Sequence, residues 1–161
     1  MTKAELRREL RALRNEFVAS GAPVFPVPME FEAWLTTPIR IGAYVSNGKE
    51  PDVLGWFNAR SNPVECTVTL PYFAERSDEM TFRCWKSGDA LFPSPFGFLQ
   101  PDYHADCVAP DIVLTPLVGF DGSGTRLGQG AGHYDRAFQK WPNALRVGIS
   151  WAVQEVPYIP K

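Results

Sequence analysis

The segment "DIVLTPLVGFDGSGTRLGQGAGHYDR" (111–136) joins three patterns in the order strand, loop and helix. Its opening stretch, 111–120, is apolar almost throughout, which is typical of a strand buried on both faces of a sheet. Six glycines lie between 119 and 132, and such a density marks sharp turns or a close approach to the backbone. The residues "GHYDRAFQKW" (132–141) then have a helical pattern. We therefore predict a buried strand whose carboxyl end leads through a glycine loop into a helix.

Strand and helix patterns alternate along the rest of the chain. Strand patterns lie at 39–45, 64–73, 80–85 and 145–152, and helical patterns lie at 2–18, 29–35 and 51–60. Residues 86–110 are rich in proline and glycine and are expected to form a long ordered loop. Such alternation indicates a mainly parallel sheet with helices on its faces. We predict a single α/β domain over residues 1–161.

Composition excludes several classes of protein. The chain has 161 residues, of which 45% are hydrophobic and 21% charged, as in an ordinary globular domain. The net charge of −2 argues against a nucleic-acid partner, so any anion site must be local. No apolar run is long enough to span a membrane, and "MTKAELRREL" (1–10) lacks the apolar core of a signal peptide. The three cysteines form no Cys-x-x-Cys pair that would indicate zinc. We expect a cytoplasmic protein.

The first helix carries two stripes of side chains. Thr2 and Glu5 have the spacing of a capping box at its start. One face is apolar and contains Leu6, Leu10, Leu13 and Phe17. A quarter turn away lies a basic stripe of Lys3, Arg7, Arg11 and Arg14. The stripe is compatible with a solvated face or with a basic edge over bound phosphates, and the helix pattern alone does not decide between them.

The glycine loop has the features of a phosphate cradle. In a parallel sheet, ligands bind outside the carboxyl ends of the strands, where this loop lies. The alternation of Gly128, Gly130 and Gly132 lets backbone N–H groups face one object, and the next helix adds its N-terminal dipole. Arg126 adds a bidentate donor for phosphate oxygens. The loop lacks the Gly-Lys-Ser/Thr of a P-loop and the Gly-x-Gly-x-x-Gly spacing of a dinucleotide site, and a plain turn would also explain its glycines.

Asp135 lies in the first turn of the helix that follows this loop. An aspartate there often does no more than interact with the helix dipole. Beside a phosphate cradle it is also a ligand for Mg²⁺, which is commonly held by one carboxylate and the phosphate oxygens of its nucleotide.

The same residues resemble a known family. "FDGSGTRLGQGAGHYDR" (120–136) is similar to the signature of the 5-formyltetrahydrofolate cyclo-ligase family, also called 5,10-methenyltetrahydrofolate synthetases. The resemblance extends to Lys3, Leu6 and Arg7 near the N-terminus, to "AYVSNGKEPD" (43–52) and to "LPYF…MTFRCW" (70–85). It covers nearly the whole chain in order.

The resemblance implies a function and a set of site residues. The implied reaction is the ATP- and Mg²⁺-dependent cyclisation of 5-formyltetrahydrofolate to 5,10-methenyltetrahydrofolate, with ADP and phosphate released. The implied ATP contacts are Lys3, Arg7, Arg126, Leu127, Gly128, Gln129, Gly130, Ala131, Gly132, His133 and Tyr134. The implied folate contacts are Val45, Glu50, Gln129, Gly130, Ala131, Gly132 and His133, and Asp135 is the implied metal ligand.

The resemblance also implies the architecture and the partners. The family fold is three-layered and Rossmann-like, of the type shared with NagB/RpiA/CoA-transferase-like proteins. The partners are the small-molecule substrates, 5-formyltetrahydrofolate and ATP; we expect neither nucleic acid nor a membrane, and we expect a monomer. His133 replaces an aromatic residue usual at its position and is expected to stack. Trp85 is either a pocket wall or a core residue.

The largest departure from the family lies at the C-terminus. The family continues beyond the equivalent of "VPYIP" (156–160) with a further acidic residue that helps to hold the metal, whereas this sequence ends at Lys161. We expect a shortened C-terminus, which leaves a catalytically weak or inactive folate- and ATP-binding relative as an alternative. A third hypothesis is an unrelated Rossmann-type oxidoreductase, with Glu155 holding a ribose.

Overall fold

The computed structural model describes residues 1–35, 38–59 and 66–161. Its centre is a five-stranded sheet in the order β3-β2-β1-β6-β9. These strands are β1 (Ile39–Gly42), β2 (Cys66–Tyr72), β3 (Thr81–Cys84), β6 (Ile112–Pro116) and β9 (Leu145–Ile149). All neighbours pair in parallel except β2 and β3. The predicted mainly parallel α/β sheet is confirmed; the start of the predicted strand 64–73 lies outside the described residues.

Helices cover this sheet, and shorter elements connect them. The helices are α1 (Lys3–Ala19), α2 (Met29–Trp34), α3 (Val53–Ala59) and α4 (His133–Lys140). The remaining strands are β4 (Phe92–Pro93), β5 (Leu99–Gln100), β7 (Gly119–Asp121), β8 (Arg126–Leu127) and β10 (Glu155–Val156), and a 3₁₀ turn spans Ala152–Gln154. The predicted long loop at 86–110 therefore contains a small antiparallel pair, β4 and β5. No helix in the described residues has the length and apolar composition needed to cross a membrane.

Strand β6 explains why the sheet has a core on each face. Successive side chains of a strand point to opposite faces. Ile112 and Leu114 pack into a cluster with α2 and α3, while Val113 packs into a second cluster with Phe138 of α4. All three side chains are almost fully buried. The continuous apolar run that predicted a strand buried on both faces thus gives the three layers helix, sheet and helix.

The predicted strand 111–120 is in fact two strands in different sheets. Strand β6 ends at Pro116, and β7 begins at Gly119 in a three-stranded sheet of order β10-β7-β8. The fully buried Gln154 binds the connection, because its Nε2 donates to the carbonyls of Leu117 and Val118 at 2.9 and 2.8 Å. Its Oε1 accepts from the backbone N–H of Trp151 at 3.0 Å. A residue 36 positions away in sequence therefore fixes the bend that leads into the glycine loop.

Helix α1 packs on this small sheet. The capping box is confirmed, since the Thr2 hydroxyl accepts from the Glu5 N–H and the Glu5 carboxylate accepts from the Thr2 N–H. Leu6 and Leu10 lie in a cluster with Val118, Leu127 and Ile159. A methyl group at Gly119 would lie 2.4 Å from Leu10 Cδ1, so glycine permits this close approach. Helix α1 is therefore seated directly beside the glycine loop.

Candidate active site

A cavity of about 720 Å³ lies between α1, the glycine loop and the N-terminal end of α4. It is lined by every residue that the family resemblance assigned to ATP, folate or metal, from three separate parts of the chain. These residues are Lys3, Arg7, Val45, Glu50, Arg126, Leu127, Gly128, Gln129, Gly130, Ala131, Gly132, His133, Tyr134 and Asp135. The fold brings them together because α1 lies on the small sheet and because the loop and α4 follow β8.

The basic stripe of α1 holds the glycine loop directly. Arg7 Nε donates to the carbonyl of Gly128 at 2.8 Å. Arg11 Nη2 donates to Gln129 Oε1 at 2.8 Å and to the Gln129 carbonyl at 3.3 Å. All four residues of the stripe line the cavity and Arg14 is buried, which favours the interpretation of a basic edge over that of a solvated face. The remaining N–H groups of these guanidinium groups are donors that a bound anion can use.

The glycines of the loop have distinct reasons to be glycine. Gly130 has φ 107° and Gly132 has φ 73°, both in the left-handed region that side chains disfavour. Gly132 also precedes α4 as its N-cap and provides no side-chain cap. The first N–H groups of α4 therefore have no capping side chain at the cavity, and they add the positive end of the helix dipole there. This is the geometry of an anion site.

The cavity is electropositive although the chain is slightly acidic. Five basic side chains line it, against two carboxylates. The basic residues are Lys3, Arg7, Arg11, Arg14 and Arg126, and the acidic ones are Glu50 and Asp135. Charges of one sign in a concave site focus the local potential and attract anionic ligands. The site therefore favours a polyanion.

Arg126 and Asp135 form an ion pair at the edge of the cavity. Arg126 Nη2 contacts Asp135 Oδ1, with the side chains 24% and 72% exposed, respectively. The Arg126 guanidinium also lies 5.3 Å from the centre of the Phe138 ring, which orients it. The exposed carboxylate keeps lone pairs available beyond the arginine. The sequence suggested that Arg126 binds phosphate and that Asp135 binds a metal ion. In the structure, the two side chains contact each other.

The surroundings of Asp135 fit a metal ion that binds together with a ligand better than a metal ion held by protein side chains alone. No group of three or more His, Cys, Asp or Glu side chains in the described residues could hold a metal ion. Mg²⁺ needs only one or two carboxylates when a nucleotide and water complete its octahedron. The donor set therefore fits a Mg²⁺–nucleotide complex with Asp135 as the protein's carboxylate.

Glu50 lies in the part of the cavity formed by the segment after β1. Its Oε2 accepts from the Asn47 N–H at 3.3 Å, and Val45, Asn47 and Tyr44 line the same region. Burial raises the pKa of the Glu50 carboxyl, while the Asn47 hydrogen bond and the Arg14 charge oppose that rise. Asp52 caps α3 instead, since its Oδ1 accepts from Gly55 N–H at 3.0 Å. Glu50 is therefore a carboxylate acceptor that lines the cavity in this region.

An aromatic wall closes the side of the cavity next to His133. The His133 ring lies 4.8 Å from the Phe73 ring and 4.6 Å from the Phe96 ring, and Phe98 lies parallel to Phe96 at 6.4 Å. Arg136 Nη2 lies 3.0 Å from His133 Nδ1. Burial lowers the pKa of His133, and the Arg136 charge lowers it further. His133 is thus a neutral flat ring in an aromatic surface that suits a planar ligand.

This aromatic wall is not evident in the sequence. Phe73, Met80, Phe96 and Phe98 line the cavity although none was identified as a site residue. Buried Gln100 fixes Phe73, accepting from its N–H at 3.0 Å and donating to its carbonyl at 3.1 Å. In the sequence, the wall is indicated only by the three phenylalanines of "FPSPFGF" (92–98). The prolines and the glycine of that stretch make it resemble an ordinary loop. Trp85 is a core residue, 9% exposed, in the cluster beneath α2 and α3.

The whole chain matches one known protein family. A family model described as the 5-formyltetrahydrofolate cyclo-ligase family matches residues 1–161. A 5-formyltetrahydrofolate cyclo-ligase of Haemophilus influenzae is 42% identical over 71 residues, a stretch that spans 40% of this chain and only 38% of that relative.

Two solved structures share the fold. A 5,10-methenyltetrahydrofolate synthetase of Aquifex aeolicus superimposes with a TM-score of 0.67 at 23% identity, covering 100% of this chain and 84% of that one. The synthetase of Mycoplasma pneumoniae gives a TM-score of 0.63 at 18% identity, covering 100% and 92%, respectively. The predicted three-layer α/β fold class is confirmed.

Proposed function

The chain belongs to the 5-formyltetrahydrofolate cyclo-ligase family, and from this premise we propose that it cyclises 5-formyltetrahydrofolate to 5,10-methenyltetrahydrofolate with consumption of ATP. The observation that carries the proposal is the single electropositive cavity lined by all the residues that the family resemblance assigns to ATP, folate and Mg²⁺. The proposed enzyme acts as a monomer on small molecules in the cytoplasm.

The cavity has two ends of different chemistry. At one end, Lys3, Arg7 and Arg126 meet the glycine loop and the start of α4, which together suit a triphosphate. At the other end, Val45 and Glu50 provide an apolar side chain and an acceptor, and the aromatic wall beside His133 adds a flat surface along the side, so that the cavity also suits a planar heterocycle bearing N–H donors. We therefore place the phosphates of ATP at the loop and the folate ring near Glu50.

The proposed reaction proceeds in two displacements. The formyl oxygen on N5 attacks the γ-phosphorus of ATP, and ADP leaves. The N10 lone pair then attacks the activated formyl carbon, N10 loses its proton, and phosphate departs with the former formyl oxygen. Neither step uses a protein nucleophile. The cavity therefore has two tasks: it positions the reacting groups of the two substrates, N10 among them, and it stabilises the charge of the transferred phosphoryl group.

Stabilisation of the transferred charge is a task suited to the side chains of Arg126 and Arg7 and to the N–H groups of the loop. Each is a fixed donor at the phosphate end, and Arg7 is held by Gly128 before any substrate binds. Such preorganised donors lower the barrier because they need not reorient as the charge develops. Mg²⁺ bound with ATP would supply further charge neutralisation, and Asp135 is the residue that would hold it.

Asp135→Asn is expected to raise the Mg²⁺ concentration needed for half-maximal rate by about tenfold or more, because one charged ligand is lost. The dissociation constant of 5-formyltetrahydrofolate, measured by fluorescence titration, is expected to stay the same. Glu155→Gln is the control, since Glu155 is an exposed carboxylate outside the cavity. An unchanged Mg²⁺ requirement in Asp135→Asn would remove Asp135 from the metal role.

The experiment that tests the proposed function is a direct assay of the purified chain. The protein is mixed with 5-formyltetrahydrofolate, Mg²⁺ and ATP, and the absorbance of the methenyl product is followed beside an ATP-free control. We expect product at a catalytic rate only with ATP. Binding of both substrates without product would support the alternative of an inactive relative, and no binding of either would contradict the proposal.

A further inference from the structure

Arg14 is the most deeply buried basic side chain of the α1 stripe. It is 5% exposed and lines the cavity. Its Nε and Nη1 are buried, and neither has a hydrogen-bond partner in the part of the chain that the structure describes. Leaving charged donors buried and unsatisfied is costly, so such a group calls for a reason. Arg7 and Arg11 of the same stripe do have partners, in Gly128 and Gln129.

Arg14 lies at the folate end of the cavity. It is seven residues, or about 10 Å of helix, beyond Arg7, which holds the glycine loop. The strongest charge interaction that acts on Arg14 is with Glu50, which supports its cationic form against burial. Arg14 therefore lies one helical turn beyond Arg11, which holds Gln129, and within range of the charge of Glu50, the proposed acceptor for the heterocycle.

Arg14 and Glu50 are held near one another without direct contact. The ion pairs in the described residues are Arg40–Asp111 and Arg126–Asp135, and the Glu50 carboxylate accepts from Asn47 instead. The buried Arg14 and the half-buried Glu50 therefore line the same cavity with unused hydrogen-bonding capacity. A ligand edge that carries a carbonyl oxygen beside N–H donors would satisfy both groups at once.

We propose that Arg14 determines specificity for the substrate, donating to the C4 carbonyl oxygen of the pterin while Glu50 accepts from the adjacent ring and amino N–H groups. This inference rests on the proposed function. It assigns recognition of the pterin edge that carries the C4 oxygen and the amino group to two residues of opposite charge. The arginine comes from α1, and the glutamate comes from the segment after β1. A buried pair of this kind rejects ligands that present a donor in place of the oxygen, because the arginine then stays unpaired.

The test compares two ligands on two proteins. The ligands are 5-formyltetrahydrofolate and its 4-amino-4-deoxy analogue, in which the C4 oxygen is replaced by an amino group. Dissociation constants are measured for the wild-type chain and for Arg14→Met, in which the charged side chain is replaced by an unbranched apolar one. We expect Arg14→Met to weaken binding of the 4-oxo ligand by about tenfold or more and to leave binding of the 4-amino ligand within about twofold.

Two further variants separate specificity from structure. Arg14→Lys keeps the charge and one donor and is expected to restore part of the preference for the 4-oxo ligand. Arg8→Met, on the exposed face of the same helix, is expected to change neither constant. The melting temperature of Arg14→Met is expected to equal or exceed that of the wild type, because a buried unpaired charge is removed. The dissociation constant of ATP is expected to stay unchanged.

The outcomes distinguish the two proposals. If the wild type binds 5-formyltetrahydrofolate and Arg14→Met retains the wild-type ratio of the two ligand affinities, the assignment of Arg14 is overturned and the proposed function stands. A lower melting temperature with equal loss of both ligands would also overturn it, since that is the result of a structural role. A wild-type chain that binds ATP but no folate would overturn both.

Discussion

Arg126→Ala is expected to lower kcat/KM for ATP by about 10- to 100-fold, with most of the change in KM. Arg126 lines the phosphate end of the cavity and is oriented by Asp135 and the Phe138 ring. A charge-assisted contact to phosphate is worth about 1.5–3 kcal/mol, which converts to this range. The measurement is the steady-state rate of methenyl product at varied ATP and saturating folate. The dissociation constant of 5-formyltetrahydrofolate is expected to remain unchanged.

Arg146→Ala is the matched control for this variant. Arg146 also lies over the Phe138 ring, at 4.7 Å, but it does not line the cavity. The two variants therefore lose a similar cation–π contact, and Arg126→Ala additionally loses the ion pair with Asp135 and the proposed donor to the phosphates. Equal effects on KM for ATP would show that Arg126 acts through the packing of α4 and not through phosphate binding.

The second large effect is expected on stability. Gln154→Leu is expected to reduce the free energy of unfolding by about 3–5 kcal/mol, because two carbonyls and one N–H lose their partner in a buried position. This is a large share of the total stability of an ordinary domain, which is about 5–15 kcal/mol. Guanidinium denaturation followed by far-ultraviolet circular dichroism gives the value.

Gln139→Leu provides the comparison for Gln154→Leu. Gln139 lies exposed on α4, so the same chemical change there is expected to alter the free energy of unfolding by no more than about 0.5 kcal/mol. A similar small effect at both sites would contradict the role given to Gln154. A large loss at Gln154 alone would show that the bend between β6 and β7 depends on this side chain.

The stability of this bend also bears on the active site. Gln154 holds Leu117 and Val118, and Val118 packs against Leu6 and Leu10 of α1. Helix α1 in turn presents Arg7 to the glycine loop. Loss of the Gln154 contacts is therefore expected to weaken ATP binding as well, although Gln154 does not line the cavity. The link is the position of α1, to which this cluster contributes.

Local sequence patterns were sufficient for much of the fold. The apolar run of 111–120 predicted burial on both faces, and Ile112, Val113 and Leu114 pack into cores on opposite sides of the sheet. Thr2 and Glu5 predicted the capping box at the residue where α1 begins. These predictions succeeded because strand burial and helix capping depend on neighbours that are close in sequence.

The glycine loop was also recognisable, and so was its position before a helix. The positive φ angles of Gly130 and Gly132 are a local requirement that the sequence displays as glycine. The roles of Lys3, Glu50 and Asp135 came from resemblance to the family and remain predictions, whereas their placement in one cavity is a property of the structure.

The sequence by itself determined the α/β class, the mainly parallel sheet, the capping box of α1 and the glycine loop before α4, whereas phosphate binding by that loop remains a prediction. Only the tertiary structure decided that 111–120 divides between two sheets, that Phe73 and Phe96 form a wall with His133, and that Arg14 is buried in the lining of the same cavity as Glu50. The physical reason is the distance between partners along the chain. Gln154 and Val118 are 36 residues apart, and Gln100 and Phe73 are 27 apart, so no local pattern records that each pair satisfies the other's hydrogen bonds.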